Sequence, residues 1–299
     1  MGFGRFDRNE YATYSTKAAT MSTKDLFARG SSRAVTQSKQ VINAVDIPFR
    51  ECRDSVENPV SCPILIGLDV TGSMHAIPRQ MIQGSLGVLM SELIDREPVG
   101  DPHLLFMGIG DAVVGDEAPL QATQFETTAQ QMTAQLGDLY LEGGGGGNSF
   151  ESYDLAWGFA AMRTKTDQWE KRGAKGYVFT IGDEEFPHSS DRNYMKAVFK
   201  EDCPQAPTPE GLLEQAQERY NVFHIIVEQG GHMRSNATRT VNGWRQHLKK
   251  RALLLDNYDY IGEVIVAAIA VNEGMDVDAA IGMFQGPASA TVRRALTSQ

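Results

Sequence analysis

Between residues 63 and 271 the chain alternates short apolar runs with stretches of helical period, and this alternation narrows the fold more than any single motif. Apolar runs cover 63–69, 103–110, 176–181, 222–227 and 252–255, with a weaker alternating run at 121–125. Helical patterns fill 78–95, 127–139, 151–163, 192–200, 209–220, 236–250 and 261–271. In 78–95 the apolar residues Met81, Ile82, Leu86, Leu89, Met90 and Leu93 recur near helical spacing. Runs that are apolar throughout belong to strands buried on both faces, as parallel strands between crossover helices are. The expected fold is α/β: a doubly wound, Rossmann-like, mostly parallel sheet with helices on both faces. The runs at 103–110 and 121–125 follow one another without a helix, so they predict a hairpin and one antiparallel edge strand.

The chain of 299 residues, 41% hydrophobic, is long enough for one large domain with extensions. We expect an N-terminal arm and lead-in over 1–59, partly flexible, the α/β domain over 60–271, and a helical tail over 272–299 broken at Gly282 and Gly286-Pro287. Apolar periodicity is weak before residue 40, which predicts one short helix near 24–29 and a strand near 41–45. Phe3, Phe6, Tyr11, Tyr14 and Phe27 make the arm a candidate for docking into a partner. The net charge of −10 argues against a general nucleic-acid binder, which needs clustered Lys and Arg. Cys52, Cys62 and Cys203 form neither a disulfide framework nor zinc-ligand spacing, so the expectation is a reducing, cytoplasmic setting. No apolar run approaches the ~20 residues of a membrane span. The start, Met1-Gly2-Phe3-Gly4-Arg5-Phe6, does not read as a signal peptide and fits a myristoylation pattern poorly.

Candidate chemistry gathers where strands end. The run Ile64-Leu65-Ile66-Gly67-Leu68 ends in Asp69, and hydroxyl residues Thr71 and Ser73 follow at every second position. A second candidate loop, 143–152, carries five glycines, Gly143 to Gly147, then Asn148, Ser149, Glu151 and Ser152, just ahead of a helix start. There glycine lets backbone approach a ligand closely. A third, Gly182-Asp183-Glu184-Glu185, follows the 176–181 run. In an open α/β sheet, ligands bind beyond the carboxyl ends of the strands, where all three loops can meet. Carboxylates mixed with hydroxyls are hard-oxygen ligands suited to Mg²⁺, or to Mn²⁺ or Ca²⁺.

With those residues the chain resembles the von Willebrand factor A family, whose metal-ion-dependent adhesion site uses Asp-x-Ser-x-Ser, a later Thr and a later Asp. Asp69-Val70-Thr71-Gly72-Ser73 matches the first element with Thr for the first Ser, in a form similar to intracellular bacterial and phage members. Thr180-Ile181-Gly182-Asp183 matches the last. The middle element departs: Gly146-Gly147-Asn148-Ser149-Phe150-Glu151-Ser152 is similar to a Gly-Gly-Gly-Asp-x-Pro-Glu variant and puts Asn148 at the ligand position, Ser149 being the next candidate. The resemblance spans roughly residues 60–270. It implies a metal held by Asp69, Thr71, Ser73, Asn148 and Asp183, with Ser149, Glu151 and Glu184 next to it. It further implies an open coordination position for a protein partner's carboxylate, in a multiprotein assembly. Several such relatives work with MoxR-type AAA+ ATPases.

The first stretch also resembles the start of a haloacid-dehalogenase phosphotransferase, which would make Asp69 a nucleophile forming an aspartyl-phosphate with Asp183 on Mg²⁺. Thr71 stands where most soluble phosphatases of that family have an acid, Phe186 or Pro187 stands where the next acid is expected, although Glu184 and Glu185 could stand in, and the glycine loop with Asn148 has no role in that scheme. A metal-free scaffold is the third reading. No phosphate-binding Gly-x-x-x-x-Gly-Lys-Ser motif occurs, so the chain reads as a non-enzyme. His75, His188 and His232 read as loop residues and His224 as a core histidine. The long connection 184–208 is expected to frame the partner-binding surface.

Overall fold

The computed structural model describes residues 4–27, 42–142 and 147–298, with the side chain of Ser73 outside that description. Phe3, the Met1–Gly2 start, residues 28–41 and Gly143–Gly146 lie outside the described residues. In chain order come helices α1 (Arg8–Ala19) and α2 (Thr23–Leu26), then strands β1 (Arg50–Cys52) and β2 (Ser61–Asp69). Helix α3 (Ala76–Gln80) runs through a π-turn (Met81–Ser85) into α4 (Leu86–Arg96). Strands β3 (Asp101–Ile109) and β4 (Leu120–Ala122) are followed by helices α5 (Ala129–Leu136) and α6 (Tyr153–Met162). Next are β5 (Thr164–Thr166), α7 (Asp167–Glu170), β6 (Gly176–Gly182), α8 (Arg192–Phe199) and α9 (Pro209–Arg219). The chain closes with β7 (Tyr220–Val227), α10 (Met233–Leu248), β8 (Ala252–Leu255), α11 (Ile261–Asn272), α12 (Val277–Gly282) and α13 (Gly286–Thr297).

The main sheet has the order β4-β3-β2-β6-β7-β8, parallel throughout except for the β3–β4 pair. This is the doubly wound α/β architecture with one antiparallel edge strand. Its central strand β2 is buried at every position. Ile64, Ile66 and Leu68 enter one core layer, with α4, α11 and the C-terminal helices, and Leu65 enters the other, with α6, α8, α9 and α10. That two-sided burial is why the run is apolar rather than alternating. β2 leads to β3 on one side, and its other neighbour is β6. The direction of winding reverses there, and such a switch point opens a crevice beyond the strand ends. Leu68 pairs with Ile181, so Asp69 lies level with Gly182.

Several expectations need correction. Residues 44–46 form a 3₁₀ turn rather than a strand, with an isolated bridge from Asn43 to Gln121. Two short strands were not expected: β1 and β5 pair in a separate parallel ladder. Within the connection 184–208 the helix expected at 192–200 is present as α8, which buries Met195, Val198 and Phe199 in the second core layer. The N-terminal segment carries a twelve-residue helix, α1, capped by Asp7, whose side chain accepts from the Asn9 and Glu10 amides. Only Tyr11 and Ala18 of α1 are buried; seven residues apart, they form a stripe too thin for a period search. Tyr11 and Phe27 do insert into an apolar pocket, but that pocket is this chain's own first core layer. Among the described residues no helix is long and apolar enough to cross a membrane.

A Cβ at Gly87 in α4 would overlap the ring of Tyr11. On helix propensity alone Gly87→Ala would stabilise by about 1 kcal/mol. The overlap reverses the sign, and overpacking costs about 1–3 kcal/mol. The variant is expected to unfold at lower urea than wild type, whereas the same substitution in a Tyr11→Ala background should be neutral or stabilising.

Candidate metal centre at the switch point

Asp69 ends β2 with no solvent exposure. Its Oδ1 accepts from the Thr71 backbone amide at 2.8 Å and the Thr71 hydroxyl at 2.6 Å, and Tyr153 Oη lies 3.5 Å from Oδ2. The chain then turns through Gly72–Met74 into α3, with Met74 N–H bonding to Thr71 O. Thr71 is thus the residue that fixes the carboxylate's orientation.

Asp183 follows β6 on the adjacent strand and is equally buried. Its Oδ2 accepts from the His232 backbone amide at 2.8 Å, while its Oδ1 is buried with no hydrogen-bond partner. Two glycines make room for this pairing. A Cβ at Gly230 would collide with the Asp183 carboxylate, and one at Gly182 would collide with the Tyr153 hydroxyl and reach within 3.2 Å of Asp69 Oδ2.

The third loop reaches the site by another route. Asn148 donates from Nδ2 to Asp111 Oδ2 at 2.5 Å, and Ser152 Oγ lies 3.4 Å from Asp111 Oδ1. The loop is tied to the end of β6 by the Glu185 amide on Ser149 O (3.0 Å) and by Arg239 Nη2 on Ser149 Oγ (3.4 Å). Glu151 is buried, and Glu151 Oε2 and Glu184 Oε2 lack hydrogen-bond partners. Asn148 is therefore placed among the acids but engaged with Asp111, and Ser149 faces Arg239.

Burial sets the electrostatics of most of these acids. Burial, then the Asp183 charge, pushes Asp69 up from the usual carboxylate range. Burial raises Asp183 too. Glu151 is raised by burial and by Asp69, Glu184 and Asp111. Glu184 is pushed up to about 8 by burial and by Asp69 and Asp183. The next residue behaves oppositely. Although burial opposes it, Glu185 is held below its ordinary value by Arg239 and His188, whose Nε and Nε2 lie 2.7 and 3.0 Å from Oε2.

Among the described residues no three His, Cys, Asp or Glu side chains form a metal-ligand cluster. The donors present are two strand-end carboxylates with hydroxyl and amide oxygens. They fit a hard cation by the chemistry of the set and by the unpartnered Asp183 Oδ1.

Three participants escaped the sequence reading. Asp111 follows β3 as Gly110-Asp111, the same strand-end signature that marked Gly182-Asp183, and so was findable. Tyr153 and Gly230 carried no motif. His232, read as a loop residue, supplies the amide that holds Asp183. His224 is a core histidine as expected, stacked on Trp244 at 3.4 Å and bonded to Thr180 Oγ1 at 2.9 Å.

No family model matches the chain, and no curated protein matches it. Solved structures similar to it include the pilus adhesin SpaC from Lactobacillus rhamnosus GG, with 12% identity over 75% of this chain and a TM-score of 0.42. A von Willebrand factor type A protein from Catenulispora acidiphila follows, with 13% identity over 73% of this chain and a TM-score of 0.38. An aerotolerance-related membrane protein from Bacteroides fragilis has 16% identity over 63% of this chain, 99% of its own length, and a TM-score of 0.28. This chain spans 31% of the adhesin and 44% of the Catenulispora protein. The fold class stands on the sheet order and strand directions of the chain itself.

Carboxylates raised in this way bind more protons in the folded than in the unfolded state, so stability falls as pH rises. Glu184 and Asp154, the latter pushed up to about 7 by burial, place the window between about pH 4 and pH 8. In chelator, the melting temperature is expected to fall across that window. Added Mg²⁺ should restore it, with a gain that grows toward pH 8. Differential scanning fluorimetry in EDTA and in MgCl₂ checks both slopes.

Proposed function

We propose that the chain is a metal-dependent protein-binding module of the von Willebrand factor A type. In this reading Asp69, Thr71, Ser73, Asn148 and Asp183 hold Mg²⁺, or Mn²⁺ or Ca²⁺ in its place, with Ser149, Glu151 and Glu184 around them. One observation carries the reading: Asp69 and Asp183 are buried side by side at the switch point, and Asp183 Oδ1 has no donor. A buried carboxylate oxygen without a partner is costly, and a cation removes that cost. Mg²⁺ bound by few carboxylates retains water positions, one of which a partner's carboxylate can take. Asn148 would have to release Asp111 to reach the ion, which makes Asn148 the adjustable member of the set. The module would serve in a multiprotein assembly of the cytoplasm. A MoxR-type AAA+ ATPase is one class of neighbour that the family resemblance implies.

Phosphotransfer is less well supported by the same residues. A nucleophilic Asp69 needs an oxygen facing its substrate, but its carboxylate is fully buried, with Oδ1 taking two donors from Thr71.

Calorimetry with Mg²⁺ and Mn²⁺ tests the proposal. Wild type is expected to bind one ion, and Asp69→Ala and Asp183→Ala to lose detectable binding while remaining folded. Capture of a partner should require the metal and be reversed by EDTA, and p-nitrophenyl phosphate should not be turned over. A wild type that binds no divalent cation would leave only the scaffold reading. Metal-dependent turnover that disappears in Asp69→Ala would install the phosphotransferase instead.

A further inference from the structure

The helix that leaves the candidate metal loop is interrupted at Met81–Ser85 by a π-turn. There the Leu86 amide reaches back five residues to Met81 O. A regular α-helix would direct that amide to Ile82 O. The carbonyl so released, Ile82 O, accepts instead from the buried Tyr11 hydroxyl of α1 at 3.0 Å. The next carbonyl, Gln83 O, accepts from the Ser15 hydroxyl, one helical turn further along α1. The contact is also reciprocal, since Gln83 Nε2 donates to Ala18 O at 2.9 Å, and Arg79 reaches Thr23 Oγ1 and Met21 O at 3.2 and 3.3 Å.

We propose that α1 is a positioning element for the candidate metal loop, and that Tyr11 and Ser15 are the residues that set it. For its effect on metal this rests on the function proposed above; for its effect on backbone position it rests on the hydrogen bonds alone. A π-turn holds one more residue than the α-helical turn it replaces, and a buried carbonyl without a donor is unfavourable. Without the two hydroxyls the turn is driven toward regular helix, a one-residue change worth 1.5 Å along the axis and about 100° of rotation. The downstream half cannot absorb it. Leu86, Leu89, Met90 and Leu93 are buried, and Gly262 of α11 packs so closely that a Cβ there would lie 2.7 Å from Ser85 O. Ile77 and Pro78 of α3 are buried as well, and the change is assigned to the five residues of α3 because that short helix continues into the turn Gly72–Met74, which joins it to Asp69 and Thr71.

The test compares the full chain carrying Tyr11→Phe and Ser15→Ala with a control, Val292→Ala in α13, chosen to lower stability without touching α1. In chelator, the amide resonances of Gly72 and Met74 are expected to move in the double variant and to stay in the control. With Mg²⁺, the double variant should bind roughly 10-fold more weakly, and the control as wild type does. Tyr11→Phe alone, which keeps the ring, gives the same reading if the double variant fails to fold. Unmoved Gly72 and Met74 resonances, or equal movement in the control, would overturn the inference. If wild type binds no Mg²⁺, the metal reading fails and the metal-free resonances alone decide the positioning role.

Discussion

Carboxyl groups buried at the seam between β2 and β6 are the constraint on which the rest of this molecule depends. Asp69 and Asp183 end adjacent strands with their side chains out of solvent, and Glu151 and Glu184 crowd the same space. Backbone and hydroxyl donors offset part of the cost: Thr71 serves Asp69 and the His232 amide serves Asp183. Glu185 shows that the chain can supply partners where a carboxylate is to be closed off, because the Arg239 guanidinium and the His188 ring converge on it. Two residues earlier, Asp183 receives the His232 amide and the weaker influence of the His232 ring, and its Oδ1 has no hydrogen-bond partner. One buried acid is thus neutralised by the chain's own side chains while Asp183 Oδ1, Glu151 Oε2 and Glu184 Oε2 lack hydrogen-bond partners, and the proposed cation would fill that gap. That contrast separates a metal-site reading from a generic acidic rim better than acidity alone.

The sheet topology explains why these acids, distant in sequence, meet at all. Winding reverses between β2 and β6, so the loops after both strands open over one crevice with no crossover helix between them. Small residues then set how close the parts come. Gly182 admits the Tyr153 hydroxyl, and Gly230 admits the Asp183 carboxylate. Either position with a side chain would push apart groups that must share one small volume, so the site is as much a consequence of missing Cβ atoms as of the acids themselves.

Most of the sheet was legible because strands buried on both faces leave continuous apolar runs, and helices between two layers keep a strong period. The strand-end acids were legible for a related reason: a polar residue that closes an apolar run stands out. What was missed lacked such contrast. Helix α1 buries only Tyr11 and Ala18 and is held mainly by hydroxyl and amide hydrogen bonds, which leave no hydrophobic period. The β1–β5 ladder has three residues per strand, too short for a pattern. The π-turn is invisible because Met81 to Ser85 read as ordinary helix; one additional residue changes the ladder without changing composition. Asn148 stands at the intermediate level, since the glycine run placed it at the site but not its bond to Asp111.

The π-turn ties the two ends of this description together. An inserted residue in a helix is tolerated only if the carbonyl it releases finds a donor, and here that donor is a tyrosine about seventy residues earlier in the chain. The segment outside the expected domain therefore completes the hydrogen bonding of the helix that springs from Asp69, Thr71 and Ser73. A cation site demands ligand positions held to fractions of an ångström, and a single turn of helix, α3, is a weak support for that by itself. Docking α1 onto the π-turn makes that support part of a layered contact, with Gln83 bonded to Ala18 on one side and Ser85 packed against Gly262 on the other. On physical grounds the arm belongs to the α/β domain, and the boundary between them marks a change in the kind of interaction, from apolar packing to directed hydrogen bonds.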